Sequence, residues 1–583
     1  MKYELINPVK YTMFTQIFIN RGFKEKDIDS YLNVDKSALY PASMLANVAE
    51  GAKLIAMHLF NQSKIFIQID PDADGFTSAA LLINYLVRIA PSSRERIIYR
   101  FHEGKEHGLI LETIPEDVGL VIAPDSASNN LEVHKALKEK GIDVLVLDHH
   151  ECDEMSEYAC VINNQTCDYP NKTLSGVGIV YKFCTFIDAL LGTHDAEDFI
   201  DLAALGIISD MMELTENETH YIVQKGLQQI RNPFFQAMCE RNDYQLTLEG
   251  PQYNPIGISF YVTPYINAMV RSGTQEQKEI LFKAMLEYEA TQLIPSTKRG
   301  EKGMQEMVVT QAVRTCFNVK KKQDDAKKDS LEEIENLIAE KKLLDNKVLI
   351  IPLEKPIEKN LVGLVANQFM GKYKKPTIVL NRYENEEGNW WSGSARNVPN
   401  TPLVSFREFV DNFPATEFAE GHASAFGCML HESALTDFIS YCNIGLKDVD
   451  FSPVYKVDFI CDAKDNSIDL NKSVLDIHNL YTLWGQGFPE VRVAITNVKV
   501  NKQNTTLMAK DRNPTLKIIL PNGLELIKFG FSLEEYEKLV PANENMANYI
   551  TVVGKCGKNE FNGKISGQIK MEDYEINEIQ YDF

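Results

Sequence analysis

The sequence predicts an α/β protein whose first half is a doubly wound parallel sheet. Short apolar runs, such as residues 65–69 and 144–147, alternate up to about residue 220 with segments whose apolar residues recur at helical spacing. A second alternation of strand and helix begins near residue 347. After about residue 450 the sequence turns into short alternating strands separated by Asn, Gly and Pro turns, which predicts a C-terminal β domain.

The composition is that of an ordinary globular protein with several domains. A chain of 583 residues, 44% hydrophobic and 24% charged, is too long for one core and predicts roughly three to four domains. The ten cysteines include no CxxC pair, which argues against a zinc ribbon or a disulfide framework. No stretch is apolar enough to span a membrane and the N-terminus lacks a signal-peptide core, so we expect a cytoplasmic protein.

The net charge of −22 argues at first against a nucleic-acid partner, because Lys and Arg supply non-specific affinity for phosphates. This objection is weaker if some of the acids are metal ligands, since bound cations restore a positive potential locally. The charge therefore leaves a nucleic-acid substrate open.

Acidic residues and histidines occur where four predicted strands or helices end. The segments are IFIQIDPDADG (65–75), GLVIAPDSAS (119–128), VLVLDHHE (144–151) and DLAALGIISD (201–210). Because the carboxyl ends of parallel strands meet at one edge of a sheet, we expect these side chains to cluster there. They are Asp70, Asp72, Asp74, Asp125, Asp148, His149, His150 and Asp210.

The physical interpretation of this cluster is a site for two metal ions. Carboxylates a few ångströms apart repel each other and raise one another's pKa, and divalent cations remove that penalty. A mixture of carboxylates and imidazole suits Mn²⁺ or Mg²⁺, with Mn²⁺ favoured by the histidines. The alternative for any single Asp is a helix N-cap, since Asp commonly follows a strand and starts a helix. The whole ordered set favours the metal site.

The order of the motifs DPDADG, PDSAS, DHHE and GIISD resembles that of the DHH phosphoesterase superfamily, which is named after the triplet found here at residues 148–150. This resemblance implies a dinuclear Mn²⁺ site that hydrolyses phosphoester or phosphoanhydride bonds. In the first of three further strings that resemble the RecJ exonuclease branch, His107 replaces a tyrosine. The strings are YRFHEGKEHGL (99–109), LSGVGIVYKF (174–183) and TPYINAMVRSG (263–273).

The second half extends the resemblance over nearly the whole chain. AEGHASAFGCML (419–430) resembles the glycine-glycine-histidine loop of the DHH-associated domain, with Glu420 in place of the first glycine. WGQGFPEV (484–491) resembles the hinge before the OB domain of RecJ, with Phe488 where Asn is usual. An OB barrel binds single strands on aromatic and basic side chains, and the alternative is a barrel that only braces the other domains or binds a protein. The basic candidates are Lys502, Lys510, Arg512, Lys517 and Lys528.

The predicted domain boundaries follow from these patterns together with the resemblance. A long charged helical segment over residues 275–345, with charges of both signs at helical spacing in 319–342, predicts an exposed connector or coiled arm between the two halves. The expected domains are an N-terminal helical lead-in (1–45), a DHH domain (46–220), the helical connector (221–345), a DHH-associated α/β domain (346–450) and an OB-like β-barrel (451–583).

The resemblance implies a single-strand-specific DNA exonuclease of the RecJ type, which degrades from the 5′ end and releases mononucleotides in DNA recombination or repair. On this hypothesis His150 donates to a phosphate oxygen and Asp148 orients the imidazoles. The metal ligands are Asp74, Asp125, His149 and Asp210 for one ion, and Asp70 and Asp72, with Asp125 bridging, for the other. The substrate contacts are Arg100, Ser394 and Arg396 at the 5′-phosphate, and Arg271 and His422 at the backbone nearby.

Two other functions fit parts of the sequence. One is a DHH phosphodiesterase acting on short oligonucleotides or cyclic dinucleotides, and the other is a non-catalytic replication scaffold. The OB-like region argues against the first, and the complete set of metal ligands argues against the second. The expected partner is single-stranded DNA, delivered by a helicase or a single-strand-binding protein to an enzyme that acts as a monomer, away from membranes.

Overall fold

The chain folds into two compact units. The larger unit contains residues 10–320 and 475–490, and the smaller unit contains residues 1–9, 321–474 and 491–583. Among the described residues, none of the helices combines the length and the apolar character needed to cross a membrane. The computed structural model describes residues 1–103, 106–152, 154–301, 303–385, 388–399, 401–509 and 513–581, without the side chains of residues 385 and 578–581.

The N-terminal segment begins with a strand and continues as helices. Its elements are β1 (Lys2–Leu5), α1 (Met13–Asn20), α2 (Ile28–Leu32) and α3 (Val48–Phe60). The structure thus differs from the predicted helical lead-in over 1–45, because β1 finds a pairing partner in residues 454–457 of the smaller unit. In the larger unit, the rings of Phe18 and Tyr31 lie 5.2 and 5.9 Å from that of Phe488, so the Phe at the predicted hinge belongs to an aromatic cluster.

Five strands form the parallel sheet predicted for the first half of the chain. The elements of this region are β2 (Ile65–Ile69), α4 (Ala73–Ile89), β3 (Ile97–Phe101), β4 (Leu120–Pro124), α5 (Leu131–Glu139), β5 (Asp143–Asp148), β6 (Cys160–Asn163), α6 (Gly176–Leu191) and α7 (Ile200–Ser209). All neighbouring strands are parallel, in the order β3-β2-β4-β5-β6. Ile65 and Ile67 enter a core with α4 and α6, while Phe66 enters a second core with α5. The predicted doubly wound sheet is confirmed, since apolar layers cover both faces.

Helices complete the larger unit. They are α8 (Asn217–Gln228), α9 (Pro233–Arg241), α10 (Asp243–Leu246), α11 (Pro255–Tyr261), α12 (Thr263–Ser272), α13 (Gln275–Met285), α14 (Glu287–Ala290) and α15 (Val308–Glu340), with a hairpin of β7 (Leu293–Pro295) and β8 (Gln305–Met307) before α15. Residues 321–340 of α15 belong to the smaller unit. The first part of residues 275–345, for which the sequence predicts an exposed connector, differs from that prediction. Phe282 and Met285 of α13 are buried in the same core as α4, with the rings of Phe76 and Phe282 5.8 Å apart. Apolar residues at helical spacing here outweigh the charges, which are concentrated in α15.

The smaller unit contains the second α/β region that the sequence predicts. Its elements are β9 (Leu349–Leu353), α16 (Lys359–Tyr373), β10 (Thr377–Asn385), β11 (Gly388–Arg396), α17 (Phe406–Asp411), β12 (Thr416–His422), β13 (Ala425–His431) and α18 (Leu435–Gly445). The strands follow the order β12-β13-β11-β10-β9. β9 and β10 are parallel and the other neighbours are antiparallel, so this sheet is mixed.

The strand-rich C-terminal region forms a seven-stranded sheet. Its order is β15-β16-β20-β21-β19-β18-β17, and β20 and β21 form an antiparallel hairpin with arms of 16 and 18 residues. β14 lies outside this sheet and pairs with β1. The elements are β14 (Val454–Val457), β15 (Phe459–Asp462), α19 (Leu470–His478), β16 (Arg492–Val500), β17 (Thr505–Met508), β18 (Thr515–Ile519), β19 (Glu525–Phe529), α20 (Leu533–Leu539), β20 (Met546–Phe561) and β21 (Lys564–Tyr581).

His134 on α5 is a buried histidine whose protonation opposes folding. Its side chain is fully buried, and neither ring nitrogen has a hydrogen-bond partner among the residues that the structure describes. Burial lowers the pKa of this imidazole from 6.5 to about 4. The unfolded chain therefore binds the proton more tightly than the folded chain does, and stability falls as the pH decreases from 6.5 towards 4.

Replacing this histidine should remove the part of the pH dependence that it causes. Between about pH 7.5 and about pH 5, we expect His134→Leu to lose about 2 kcal/mol less stability than the wild type, since one pKa unit corresponds to about 1.4 kcal/mol. Urea unfolding followed by circular dichroism at both pH values measures the difference. His194→Leu is the matched control, because 82% of the His194 side chain is exposed. Parallel pH profiles for the wild type and His134→Leu would contradict the prediction.

Candidate metal centre

The ligand candidates lie where the order of the parallel sheet reverses. β3 lies on one side of β2 and β4 on the other, so the carboxyl ends of β2 and β4 flank the position that holds ligands in open α/β sheets. Asp70 follows β2, Asp125 follows β4 and Asp148 ends β5. His149 comes directly after β5, and Asp210 is the C-cap of α7. The sheet therefore collects side chains that are far apart in the sequence.

Three overlapping groups of these side chains could each hold a metal ion. Within each group, the ligand atoms all lie within 4.8 Å of one another. His149 Nε2 lies 3.3 Å from Asp125 Oδ1 and 3.5 Å from Asp210 Oδ2. Asp125 belongs to two of the groups, which suits a bridging carboxylate. The groups are Asp70, Asp72 and Asp125; Asp74, His149 and Asp210; and Asp125, His149 and His150.

Asp72 is both the N-cap of α4 and a candidate ligand. Its Oδ1 accepts a hydrogen bond from the N–H of Gly75 at 2.9 Å. A side chain at Gly75 would not fit, because its Cβ would lie 2.6 Å from the Cβ of Asp70. From the sequence alone, N-cap and metal ligand are alternative roles for an Asp. In the structure Asp72 can have both roles, because a carboxylate has two oxygens and enough lone pairs.

Asp74 is oriented by the N-terminus of α6. Ser175 Oγ donates to its Oδ1 at 3.0 Å, and the N–H of Gly176 donates to its Oδ2 at 2.7 Å. The partial positive charge of a helix N-terminus favours a carboxylate at this place. Gly206 of α7 faces the same carboxylate, and a Cβ there would lie 2.3 Å from Asp74 Oδ1. Three helices, α4, α6 and α7, therefore fix this side chain.

Asp125 has a backbone conformation that few residues adopt. Its φ is +67°, in the left-handed region, where Asp is tolerated better than most residues. Its N–H donates to the carbonyl of Leu147 at 2.7 Å, which ties the turn to β5. Its Oδ1 is buried and accepts no hydrogen bond from any described residue. A buried carboxylate oxygen without a donor is costly, and a cation would satisfy it.

Burial and mutual repulsion raise the pKa of four carboxyl groups in this cluster. Burial, followed by the charge of Asp72, raises the pKa of Asp70 to about 7. Burial and neighbouring carboxylates raise the pKa of Asp74 and Asp125 well above the usual range, and burial also raises the pKa of Asp210. These acids can be ionised together only if positive charge lies among them. The donor set of carboxylates and imidazole therefore fits divalent cations such as Mn²⁺ or Mg²⁺.

Asp148 is held by hydrogen bonds rather than left open towards the cluster. It accepts from the N–H of Ser128 at 3.0 Å, from the N–H of His149 at 2.8 Å and from Nδ1 of His150 at 2.7 Å. Burial alone would raise the pKa of Asp148, but the bonds from His150 and Ser128 hold it below the usual range. The hydrogen bond between His150 and Asp148 also raises the pKa of His150, whose side chain is 58% exposed.

A second set of charged side chains lies beside Asp70, at the end of β3. Arg100, a predicted phosphate contact, donates from Nη2 to Glu106 Oε2 at 2.7 Å. His102, which the sequence patterns did not single out, is buried, with Nε2 4.0 Å from Asp70 Oδ1 and Nδ1 3.6 Å from Glu106 Oε2. Burial lowers the pKa of His102 to about 4. The signal that could have revealed it is its place two residues after Arg100, on the same face of an extended segment.

Asn267 and Arg271 lie about one turn apart on α12. The Oδ1 of Asn267 accepts a hydrogen bond from the N–H of Ala73 at 3.2 Å, which fixes the loop that carries Asp70 and Asp72. Sequence patterns do not reveal this positioning role, because only the tertiary fold brings α12 to the start of α4. Arg271, a predicted backbone contact of the substrate, is exposed.

The remaining predicted substrate contacts belong to the smaller unit. Ser394 and Arg396 lie two residues apart on β11 and therefore on the same face of its sheet. Arg396 donates from Nη1 to the carbonyl of Ala395 at 2.7 Å, and burial lowers the pKa of its guanidinium. A Cβ on Gly363 would lie 2.7 Å from Nη2 of Arg396, so this glycine leaves room for the guanidinium. His422 lies at the end of β12 and is exposed.

Two of the basic side chains predicted for the OB region are engaged with acidic residues. Lys517 Nζ lies 2.9 Å from Glu525 Oε2, and Lys528 donates to the carbonyl of Glu572 at 2.8 Å. Lys502 is exposed. The two others, Lys510 and Arg512, lie outside the described residues.

Two regions of the chain match models of known protein families. Residues 64–207 match the DHH family, N-terminal domain, and residues 461–573 match the RecJ OB domain. YorK of Bacillus subtilis (strain 168) is 34% identical over 583 residues, which cover 99% of this chain and 98% of that protein. Its name describes it, provisionally, as an SPbeta prophage-derived single-strand DNA-specific exonuclease. The chain is a RecJ-type member of the DHH family.

RecJ proteins of known sequence and structure share this fold. The single-stranded-DNA-specific exonuclease RecJ of Bacillus subtilis is 26% identical, over 97% of this chain and 68% of its own length. The crystal structure of Thermus thermophilus RecJ in complex with Mn²⁺ has a TM-score of 0.70 at 18% identity and covers 97% of this chain and 76% of that one. The corresponding Mg²⁺ complex has a TM-score of 0.66 at 17% identity, over 97% of this chain and 74% of that one. The RecJ architecture therefore extends over nearly the whole chain.

Gly176 sets the distance between α6 and the carboxylates of this RecJ-type site. A Cβ at Gly176 would lie 2.2 Å from Asp125 Oδ1, whereas a Cβ at Gly178 would meet the side chain of Leu174 at 3.1 Å. We expect Gly176→Ala to displace Asp125 and to remove most of the Mn²⁺-dependent rise in melting temperature, and we expect Gly178→Ala to keep that rise. Differential scanning fluorimetry with and without Mn²⁺ measures both variants. An unchanged Mn²⁺ response of Gly176→Ala would count against Asp125 as a ligand.

Proposed function

We propose that this RecJ-type protein is a Mn²⁺-dependent exonuclease that hydrolyses phosphodiester bonds of single-stranded DNA, from the 5′ end and with release of mononucleotides, in DNA recombination or repair. The observation that carries the proposal is the convergence of acids from three separate segments with His149 from a fourth, at the switch point of the sheet. The names of the RecJ relatives support single-stranded DNA as the substrate. The titles of the Thermus thermophilus RecJ structures name Mn²⁺ and Mg²⁺, which supports a divalent cation.

We assign two divalent cations to the overlapping groups. When bound, such cations activate a water molecule and neutralise charge on the scissile phosphate. Asp125 would be shared between the two ions, because it belongs to two groups and its Oδ1 has no hydrogen-bond donor among the described residues. The nitrogen of His149 favours Mn²⁺ over Mg²⁺. The ligands are Asp74, Asp125, His149 and Asp210 for one ion, and Asp70, Asp72 and Asp125 for the other.

We assign His150 to the substrate rather than to a cation. Its Nδ1 donates to Asp148 Oδ1 at 2.7 Å, so Nε2 is the ring nitrogen that remains for the substrate. The bond to Asp148 raises the pKa of His150, so the imidazole keeps both protons up to a higher pH. From an exposed position, the Nε2–H donates to a non-bridging phosphate oxygen and stabilises the charge that develops there. Asp148 acts through His150 and is a positioning residue.

We assign the predicted arginines to the phosphates of the strand. A guanidinium is a planar fork that binds two phosphate oxygens at once, which suits a terminal phosphate. Arg100 Nη2 is bonded to Glu106, and its Nη1, which has no hydrogen-bond partner among the described residues, would contact the substrate. The proposed contacts are Arg100, Ser394 and Arg396 for the 5′-phosphate, and Arg271 and His422 for the backbone nearby.

Two other functions are less well supported. A DHH phosphodiesterase for short oligonucleotides or cyclic dinucleotides has no evident use for an OB domain, which residues 461–573 match. A non-catalytic scaffold has no need for ligand atoms that lie within 4.8 Å of one another. Within the main proposal, the protein acts as a monomer, and a helicase or a single-strand-binding protein supplies the strand.

The proposed activity predicts a defined pattern of digestion. With Mn²⁺, the wild type should degrade end-labelled single-stranded DNA at least about ten times faster than duplex DNA, and a chelator should abolish the reaction. Asp72→Asn should lower kcat on the order of 100-fold, because the amide still caps α4 but has lost the charge that attracts the cation. Asp168→Asn is the matched control, since Asp168 is an exposed acid.

The outcomes of this digestion separate the candidate functions. Mononucleotides released from the 5′ end alone support the proposal. Faster hydrolysis of a dinucleotide than of long single-stranded DNA would favour the phosphodiesterase. A wild type without Mn²⁺-dependent hydrolysis would favour the scaffold, and equal rates for the wild type and Asp72→Asn would reject the metal site.

Arg396 is predicted to select substrates that carry a 5′-phosphate. Arg396→Ala should raise KM for 5′-phosphorylated DNA about ten-fold and leave KM for 5′-hydroxyl DNA within about two-fold, because only the first presents the terminal charge. Steady-state kinetics on both substrates measures the ratio. Arg382→Ala is the matched control, because Arg382 on the neighbouring strand β10 lies 3.0 Å from both Glu354 and Glu432. An equal loss on both substrates would reject the end-recognition role.

A further inference from the structure

Beside Asp70 lies a small group of buried polar atoms that the protein does not satisfy. Gln68 of β2 and Arg100 of β3 are paired in register, so their side chains lie on the same face of the sheet. His102 follows two residues after Arg100. The buried atoms of this group that lack a hydrogen-bond partner in the described part of the chain are Gln68 Oε1, Arg100 Nη1, His102 Nδ1 and His102 Nε2.

The imidazole of His102 is the member of this group that faces the metal ligands. Its side chain is 1% exposed, and its Nε2 lies 4.0 Å from Asp70 Oδ1. That distance is too long for a hydrogen bond. It falls within the spread of 4.8 Å that the ligand atoms of the candidate groups show, so a small rotation of either side chain would let both atoms bind one cation. Imidazoles thus lie beside different carboxylates of the cluster: His102 lies beside Asp70, whereas His149 lies beside Asp125 and Asp210.

Glu106 is placed to orient this imidazole. Its Oε2 lies 3.6 Å from His102 Nδ1, accepts from Arg100 Nη2 at 2.7 Å and accepts from the N–H of Glu103 at 2.9 Å. A histidine that binds a metal through one ring nitrogen usually donates the N–H of the other to a carboxylate, which fixes the tautomer and the ring. Glu106 stands in that position, and Arg100 holds Glu106 there.

We propose that His102 binds, through Nε2, the cation assigned to Asp70 and Asp72, with Glu106 orienting its ring. This rests on the two-cation site of the proposed function and adds a nitrogen ligand to the second ion. Imidazole suits Mn²⁺ better than Mg²⁺, whose preferred ligands are oxygens. His102 therefore shifts the preference of the second site towards Mn²⁺. A site with oxygen ligands alone would lack this shift.

The test is direct titration of the protein with Mn²⁺, followed by electron paramagnetic resonance of free and bound ion. Wild type should bind two Mn²⁺, and His102→Leu, which fills the buried volume, should keep one at unchanged affinity and bind the other at least about ten times more weakly. Pulsed measurements should show weaker ¹⁴N coupling in this variant. Glu106→Ala should weaken the same ion, and Glu106→Gln, which keeps an acceptor, should weaken it less.

The controls separate this proposal from the proposed function. His107→Ala should match the wild type, because His107 is exposed and its ring centroid lies 6.4 Å from that of His102. If His102→Leu is unstable without metal, His102→Gln gives the same readout with a polar side chain. Two Mn²⁺ bound by His102→Leu with wild-type affinity and wild-type ¹⁴N coupling would overturn the role of His102 and leave the two-cation site intact. A wild type that binds fewer than two Mn²⁺ would overturn both.

Discussion

Repulsion between buried carboxylates is the constraint on which the larger unit depends. The sheet gathers acids at one edge, and burial raises the pKa of Asp70 and Asp74 above their usual range. The protein supplies some donors of its own, from the N-terminus of α6 to Asp74 and from the N–H of Ser128 to Asp148. Asp125 Oδ1 receives none from the described residues, which leaves this oxygen for a divalent cation. Backbone groups thus prepare the site, and a cation completes it.

The candidate ligands could be predicted from local sequence, whereas the residues that hold them could not. Each ligand candidate follows an apolar run or ends a helix. Because the carboxyl ends of parallel strands lie at one edge of a sheet, side chains that follow these strands meet at that edge. The supporting residues come from elsewhere in the chain. Ser175 lies 101 residues from Asp74, and Asn267 lies 194 residues from Ala73. Such contacts have no local signature, and the place of His102 beside Asp70 has none either, since Asp70 follows β2 and His102 follows β3.

The fold shows the same division between local and long-range information. The parallel sheet was predictable because its strands are apolar on both faces and alternate with helices. The packing of α13 was not, because the charges of residues 275–345 suggested exposure while the apolar stripe with Leu281 and Phe282 decided the packing. β1 was also hidden, since strand pairing there joins Glu4 and Lys456, 452 residues apart. Exposure of the OB lysines likewise depends on partners such as Glu525, which composition cannot reveal.

Neither compact unit is one continuous stretch of sequence. The chain passes from one to the other between residues 9 and 10, 320 and 321, 474 and 475, and 490 and 491. No single cut therefore releases either unit whole and alone, and a deletion series would report damage to both. The same holds for recombination between related genes: a crossover at one point would mix pieces of two cores, so a stable chimaera needs all segments of a unit to come from the same parent.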